Sequence, residues 1–177
     1  MTDSHAKVCL VIHVVGELIG RTKLQKIVYI AQRLGYPFLE SFSWREYGPF
    51  SPALAAEVEE LKELGILEEE PTREWGYVSW KYRLTELGEQ FLDVIPATVP
   101  EPEGLARLVR ELHQKRSARA LELIASILYM EELGYGRETA LRKVRRAKPK
   151  YTGSAKEVLQ ALEDLEVLTE HFRSPRC

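Results

Sequence analysis

Long apolar runs are scarce in this sequence. The longest, Val8 to Val15, covers eight residues and already contains His13, whereas crossing a bilayer as a helix takes about 20 predominantly apolar residues. The run also lacks the form of a secretory leader, so the sequence predicts a cytoplasmic protein with no membrane partner. Cysteine is nearly absent, with only Cys9 and Cys177 in 177 residues. That excludes a disulfide framework and a CxxC metal pair and leaves the fold to its core. Net charge is small, −2 from 25 basic and 27 acidic side chains, which argues against coating nucleic acid or membranes through bulk charge. Phosphate-cradling glycine loops, dinucleotide fingerprints and nucleophile elbows are missing as well. What the chain does have is 45% apolar residues, enough to bury a substantial core.

The spacing of those apolar residues is mostly helical. Val8, Val11, Ile12, Val15, Leu18 and Ile19 form one stripe, predicting a helix from Ser4 to Gly20. A second helix, capped by Thr22, carries Leu24, Ile27, Val28, Ala31 and Leu34 and stops at Gly35. Tyr47-Gly48-Pro49-Phe50-Ser51-Pro52 then reads as a tight entry into a third helix, with Ser51 as cap and Pro52 at the first helical position. This helix places Leu54, Val58, Leu61 and Leu64 inward and ends at Gly65. The period then changes. Ile66 to Glu70 and Tyr77 to Leu84, joined by a turn over Pro71 to Gly76, predict a two-stranded ribbon, and Thr85 caps a helix carrying Leu87, Phe91, Leu92 and Ile95.

This order predicts a mainly α (α+β) chain with a winged helix-turn-helix-like N-terminal domain at 1–95. A Pro-rich linker at 96–102 precedes a helical domain at 103–177, with helices over Leu105–Gln114, Ala118–Leu133, Arg137–Ala147 and Ala155–Leu168. Ser154 and Glu157 form a capping box for the last of them. Ala118–Leu133 is apolar on several sides, which raises the expectation of a homodimer.

Charge is unevenly placed. Residues 1–70 carry 7 basic and 11 acidic side chains, net −4, and residues 104–150 carry 12 and 5, net +7. The third helix, which enters the major groove in most helix-turn-helix readers, exposes Glu57, Glu59, Glu60 and Glu63 against Lys62, so phosphate would be repelled from it. Glu57, Glu60 and Glu63 are therefore candidates for contact with a protein partner.

Two basic patches are candidates for anions or nucleic acid. Arg21, Lys23 and Lys26 surround the start of the second helix, where free amides add to the charge. Arg142, Lys143, Arg145 and Arg146, with Lys148 and Lys150, place six cations in nine residues, with Ala140, Leu141, Val144 and Ala147 turned inward. The alternative for this second patch is an internal pairing with the acidic third helix. On the ribbon, Lys81 and Arg83 either touch nucleic acid with Arg73 or answer Glu68, Glu69 and Glu70 across the strands. Trp75, Tyr77, Trp80 and Tyr82 offer a stacking surface, but Trp80 and Tyr82 share a face with Val78 and Leu84 and are expected in the core.

Catalytic chemistry is hard to assemble from these residues. His5, Cys9 and His13 recur every fourth residue and are the best metal candidates, but no fourth ligand accompanies them and they border the apolar stripe. No metal, cofactor or catalytic residue is expected, and the chain reads as a non-enzyme.

Gly20 to Gln32, with the Arg-Thr-Lys-Leu-Gln-Lys core, and Tyr47-Gly48-Pro49-Phe50-Ser51 resemble the YwgA-like bacterial family over about residues 5–92. The Lys-Leu-Gln-Lys and Tyr-Gly-Pro segments are similar, more weakly, to Panacea-type antitoxin domains, which neutralise toxins by protein contact. The resemblance implies a protein-binding adaptor or antitoxin-like regulator with an unknown protein partner. The alternative is a regulator that contacts duplex DNA through the basic C-terminal helix.

Overall fold

The computed structural model describes residues 3–74, 77–94, 104–149 and 155–173. The predicted linker at 96–102, Trp75, Ile95, Lys150 and the Ser154 cap lie outside them. The described chain is mainly helical with a small antiparallel sheet, the α+β class expected. Its elements are α1 (Asp3–Val15), β1 (Leu18–Ile19), α2 (Arg21–Arg33), β2 (Ser43–Arg45), β3 (Gly48–Phe50), α3 (Pro52–Glu63), β4 (Leu67–Glu74), β5 (Tyr77–Leu84), α4 (Glu86–Val94), α5 (Leu105–Lys115), α6 (Ala118–Glu132), α7 (Arg137–Ala147) and α8 (Ala155–Phe172).

The first helix is shorter than its apolar spacing suggests. The chain leaves α1 at Gly16, and Leu18 and Ile19 pair with Tyr82 and Lys81 as an edge strand. A two-residue strand has no period to read, and its apolar pair happens to continue the helical stripe. Gly20 is consequently not a stop but a junction. Its amide donates to the Trp80 carbonyl at 2.8 Å, and its own carbonyl accepts from Lys23 and Leu24 at the start of α2. Gly20, rather than Thr22, is therefore the N-cap of α2.

The entry to α3 forms as the sequence predicts, with the Leu54 amide donating to Ser51 Oγ at 3.1 Å and Pro52 in the first turn. The ribbon strands run further than expected, through the intended turn at Pro71–Glu74. They pair from Leu67↔Leu84 to Glu74↔Tyr77 in a sheet of order β1-β5-β4. Across them Arg83 pairs with Glu68 and Glu70, and Lys81 with Glu17 and Glu70, which is the cross-strand answer. Tyr82 is buried, but Trp80 and Val78 are exposed, because the outer half of β5 runs past the core. Leu87 also faces solvent. The short hairpin β2–β3, with Arg45↔Gly48 closing it, went unread among the aromatics before α3.

Side chains from both predicted halves share one hydrophobic cluster, from Val8 on α1 to Phe172 on α8. At its centre is α6, packed against α2, α7, α8 and β3 and buried continuously from Leu121 to Leu128. The all-round apolar character of this helix from Leu121 to Leu128 is thus covered within the chain.

Candidate functional site

Each of the three cations at the start of α2 goes to a different internal partner. Arg21 pairs with Glu69 at 2.7 Å, donates to the Tyr82 hydroxyl at 2.9 Å and stacks on Trp80. Lys23 donates to the His113 carbonyl at 2.8 Å. Lys26, 1% exposed, donates to the Pro49 carbonyl at 2.6 Å. They do not converge on one phosphate position at the helix start.

Glu69 also accepts from Lys62 and Tyr82, at 2.6 Å each. Burial works against its charge, yet these bonds together hold its carboxyl below the ordinary value. The Tyr82 hydroxyl is pushed upward, by burial first and by Glu69 second.

The acidic candidates on α3 are likewise engaged. Glu57 is half-buried and accepts from Ser4 at 2.7 Å, Glu60 meets His5 at 3.1 Å, and Glu59 pairs with Lys62, while Glu63 remains exposed. Glu57 and Glu60 thus also reach back to α1, while Glu59, Glu60 and Glu63 stay exposed along the helix. The same contacts disperse the metal candidates. His5 turns to Glu60 and His13 to Glu89 at 2.8 Å, while Cys9 lies in the core, its thiol pushed up to about 12 by burial and then by Glu89. Among the described residues no group of three or more His, Cys, Asp and Glu is placed to hold a metal ion.

On α7, Arg142, Lys143, Arg145 and Arg146 are exposed, while the ion pairs of Glu59 and Glu60 on α3 run to Lys62 and His5. Lys143 stands over the Tyr135 ring, 4.2 Å from its centroid. Lys148 departs from the expected pattern: it is 4% exposed, and Ala147, expected inward, is exposed instead. Its ammonium pairs with Glu122 of α6, donates to the Glu46 carbonyl at 2.7 Å and sits over Trp44.

Lys26 and Lys148 therefore hold the β2–β3 hairpin from beneath, through the carbonyls of Pro49 and Glu46. Gln25 completes the attachment. Its amide donates to the Ser51 carbonyl at 3.0 Å and accepts from the Ser51 amide at 2.9 Å. Gly48 passes so close to α6 that a β-carbon there would lie 2.8 Å from Ser126 Oγ, and its φ of +83° is a region glycine occupies freely. Ser126 Oγ is itself buried without a hydrogen-bond partner. Burial lowers the Lys26 ammonium to about 8, partly offset by Glu122 and reinforced by Lys148.

Two cavities open against this framework. One, of about 370 Å³, is walled by Leu24, Phe50, Ala55, Ala56 and Val58, with Arg21, Glu59 and Tyr82 at its rim. The other, of about 120 Å³, lies under the hairpin and is lined by Thr22, Lys26, Arg45, Tyr47 and Gly48. Arg21, Gln25 and Phe50 line both. The two motifs that carried the family resemblance thus both contribute to the lining of each cavity. Sequence reading missed Gln25 and Arg45 in this lining, and Glu122, Ser126 and Lys148 in the support beneath the hairpin. Glu122 and Ser126 carried a usable signal, being polar residues inside an otherwise apolar stretch of helix, where side chains are buried on every side.

A mainly helical α+β protein with a groove of this make-up matches no protein-family model. It is, however, 38% identical over 167 residues to the uncharacterized protein YwgA of Bacillus subtilis (strain 168), covering 94% of this chain and 98% of that protein. The chain belongs to the YwgA-like family. The similarity extends through the C-terminal helices, well past residue 92. No described helix is long and apolar enough to cross a membrane.

Proposed function

We propose that the chain is a non-enzymatic, cytoplasmic winged-helix binding module, an adaptor or antitoxin-like regulator, which takes a segment of a partner protein into the groove between α2 and α3. The order α1-β1-α2-α3-β4-β5 with the β1-β5-β4 sheet supports a winged-helix reading, with β2–β3 inserted before α3. The observation that carries the reading is the larger cavity. Its volume of about 370 Å³ lies within the range of small binding sites, about 300–1,000 Å³. Its walls are apolar, and it opens beside Ala56, a small exposed residue. Short apolar anchors entering such grooves are a common mode of peptide recognition.

The test is affinity purification from the native cell with the wild-type chain and with Ala56→Arg, which fills the mouth of the groove from an exposed helical position. A stoichiometric partner lost by at least tenfold in the variant is expected; equal recovery by both overturns the reading.

Duplex DNA is kept as a second reading by one observation, the exposed Arg142, Lys143, Arg145 and Arg146 on one helix. That reading requires a steep loss of affinity with salt, flattened when all four are changed to alanine.

A further inference from the structure

The hydroxyl of Ser4, in the first turn of α1, stands between two carboxyl groups. Its Oγ lies 2.9 Å from Oε1 of Glu40 and 2.7 Å from Oε2 of Glu57, both ordinary hydrogen-bond distances. A hydroxyl carries one hydrogen, and an ionised carboxylate can only accept. Ser4 therefore donates to one of the two, and the second contact forms only if the other carboxyl brings a hydrogen of its own. Either Ser4 donates to Glu57 while a protonated Glu40 donates to Ser4, or the order is reversed.

Nothing around the pair supplies a positive charge in place of that hydrogen. The other Glu40 oxygen, Oε2, accepts from the Ser51 hydroxyl at 3.2 Å. From α1, His5 bonds to Glu60, and Lys7 donates to the Pro37 carbonyl. On α3 itself, Glu60 adds a further negative charge. Among the described residues no cation forms an ion pair with Glu40 or Glu57, whose polar side-chain partners are the hydroxyls of Ser4 and Ser51. Burial first, and the charges of Glu40 and Glu60 after it, hold the Glu57 carboxyl above its ordinary value against the pull of Ser4 and His5.

The two carboxyls are also anchored. Gln32 grips the backbone at Glu40 from both sides, donating to its carbonyl at 3.0 Å and accepting from its amide at 2.9 Å. Glu57 stands on α3, whose cap Ser51 is held by Gln25. Ser4 belongs to a helix end, the part of an element that frays first.

We propose that Glu40 and Glu57 hold one proton between them through Ser4, and that this proton is a lock: its presence closes the first turn of α1 onto α3 and the 36–42 segment, and its loss releases the turn. The closed turn binds a proton that the open turn gives up in the ordinary glutamate range. Closure is therefore favoured on the acid side and weakens as pH rises. The lock is independent of what the groove binds.

The experiment follows the side-chain carboxyl carbons of Glu40 and Glu57 by NMR from pH 4 to 9 in the 177-residue chain labelled with carbon-13 and nitrogen-15. Hydrogen exchange is read at the amides of Val8 and Cys9 on α1 and of Ile27 on α2. The carboxyls are expected to titrate as a coupled pair, with an upper step about one pH unit or more above an ordinary glutamate at about 4.3. Opening at Val8 and Cys9 should rise about tenfold for each pH unit between that step and 4.3, with Ile27 unchanged. Glu57→Gln puts an amide where a protonated carboxyl can stand, so that its N–H donates to Ser4 and Ser4 donates to Glu40. It should return Glu40 to a single step and keep α1 closed across the whole range. Glu40→Gln should do the same for Glu57, which keeps the test decisive if one variant folds poorly. Two independent titrations at ordinary values, or a raised step crossed with no change in opening at Val8 and Cys9, each overturn the proposal.

Discussion

The two hairpins of this protein are built on opposite plans. The ribbon β4–β5 is eight residues long on each side and laced on its polar face by Lys81 and Arg83 against Glu17, Glu68 and Glu70. The hairpin β2–β3 has three residues on each side, too few to stand alone, and is fastened from below by Gln25, Lys26 and Lys148. One is held by charges in water, the other by charges out of water. Charge pairs at the surface are screened and add little, whereas buried ones are strongly coupled to whatever remains when a partner is removed. The shorter hairpin, with less sheet of its own, is therefore the one whose supports matter most, and it forms the wall of the candidate site.

That contrast is sharpest at Glu122. Changing Glu122→Ala leaves Lys148 buried without its counter-charge and removes the nearest compensation for Lys26, which should cost about 3–5 kcal/mol of unfolding free energy. Denaturant unfolding measures it, and a loss below about 1 kcal/mol would mean that the ammonium groups find water. Next in size is Gly48→Ala, where the added carbon meets Ser126 and the left-handed backbone is strained; about 1–3 kcal/mol is expected. The same substitution combined with Ser126→Ala should recover part of that loss, separating contact from strain. The smallest effect belongs to the other hairpin. Arg83→Ala should leave the unfolding midpoint nearly unchanged, and a large shift there would erase the distinction between the two hairpins.

How much of this was legible in the sequence depended on period. Helices α2, α3, α6 and α7 could be placed because their apolar spacing repeats over three or more turns, and the α3 entry because Ser-Pro has a defined local geometry. Strands of two or three residues repeat nothing, so β1, β2 and β3 were invisible, and Leu18 and Ile19 fell into the preceding helix. The candidate site was legible only as a motif. Lys26 looked like an exposed cation beside Arg21 because charge is ordinarily solvated. Its burial follows from α2 being enclosed along Leu24–Ala31 by a helix more than ninety residues away, a fact of tertiary packing that local spacing does not carry. Lys148 was misjudged for the same reason: it stands in a run of exposed cations, and only the position one turn after Val144 hinted at the inward side.

Cys9 gives that enclosure a practical use. Its sulfur is fully covered and keeps its proton far into alkaline conditions, so it is inert while the core stays shut. With Cys177 replaced by serine, the pace at which a thiol reagent consumes the chain becomes a measure of how often the interior opens. A ligand that slows that pace has been bound by the closed form, whatever its identity.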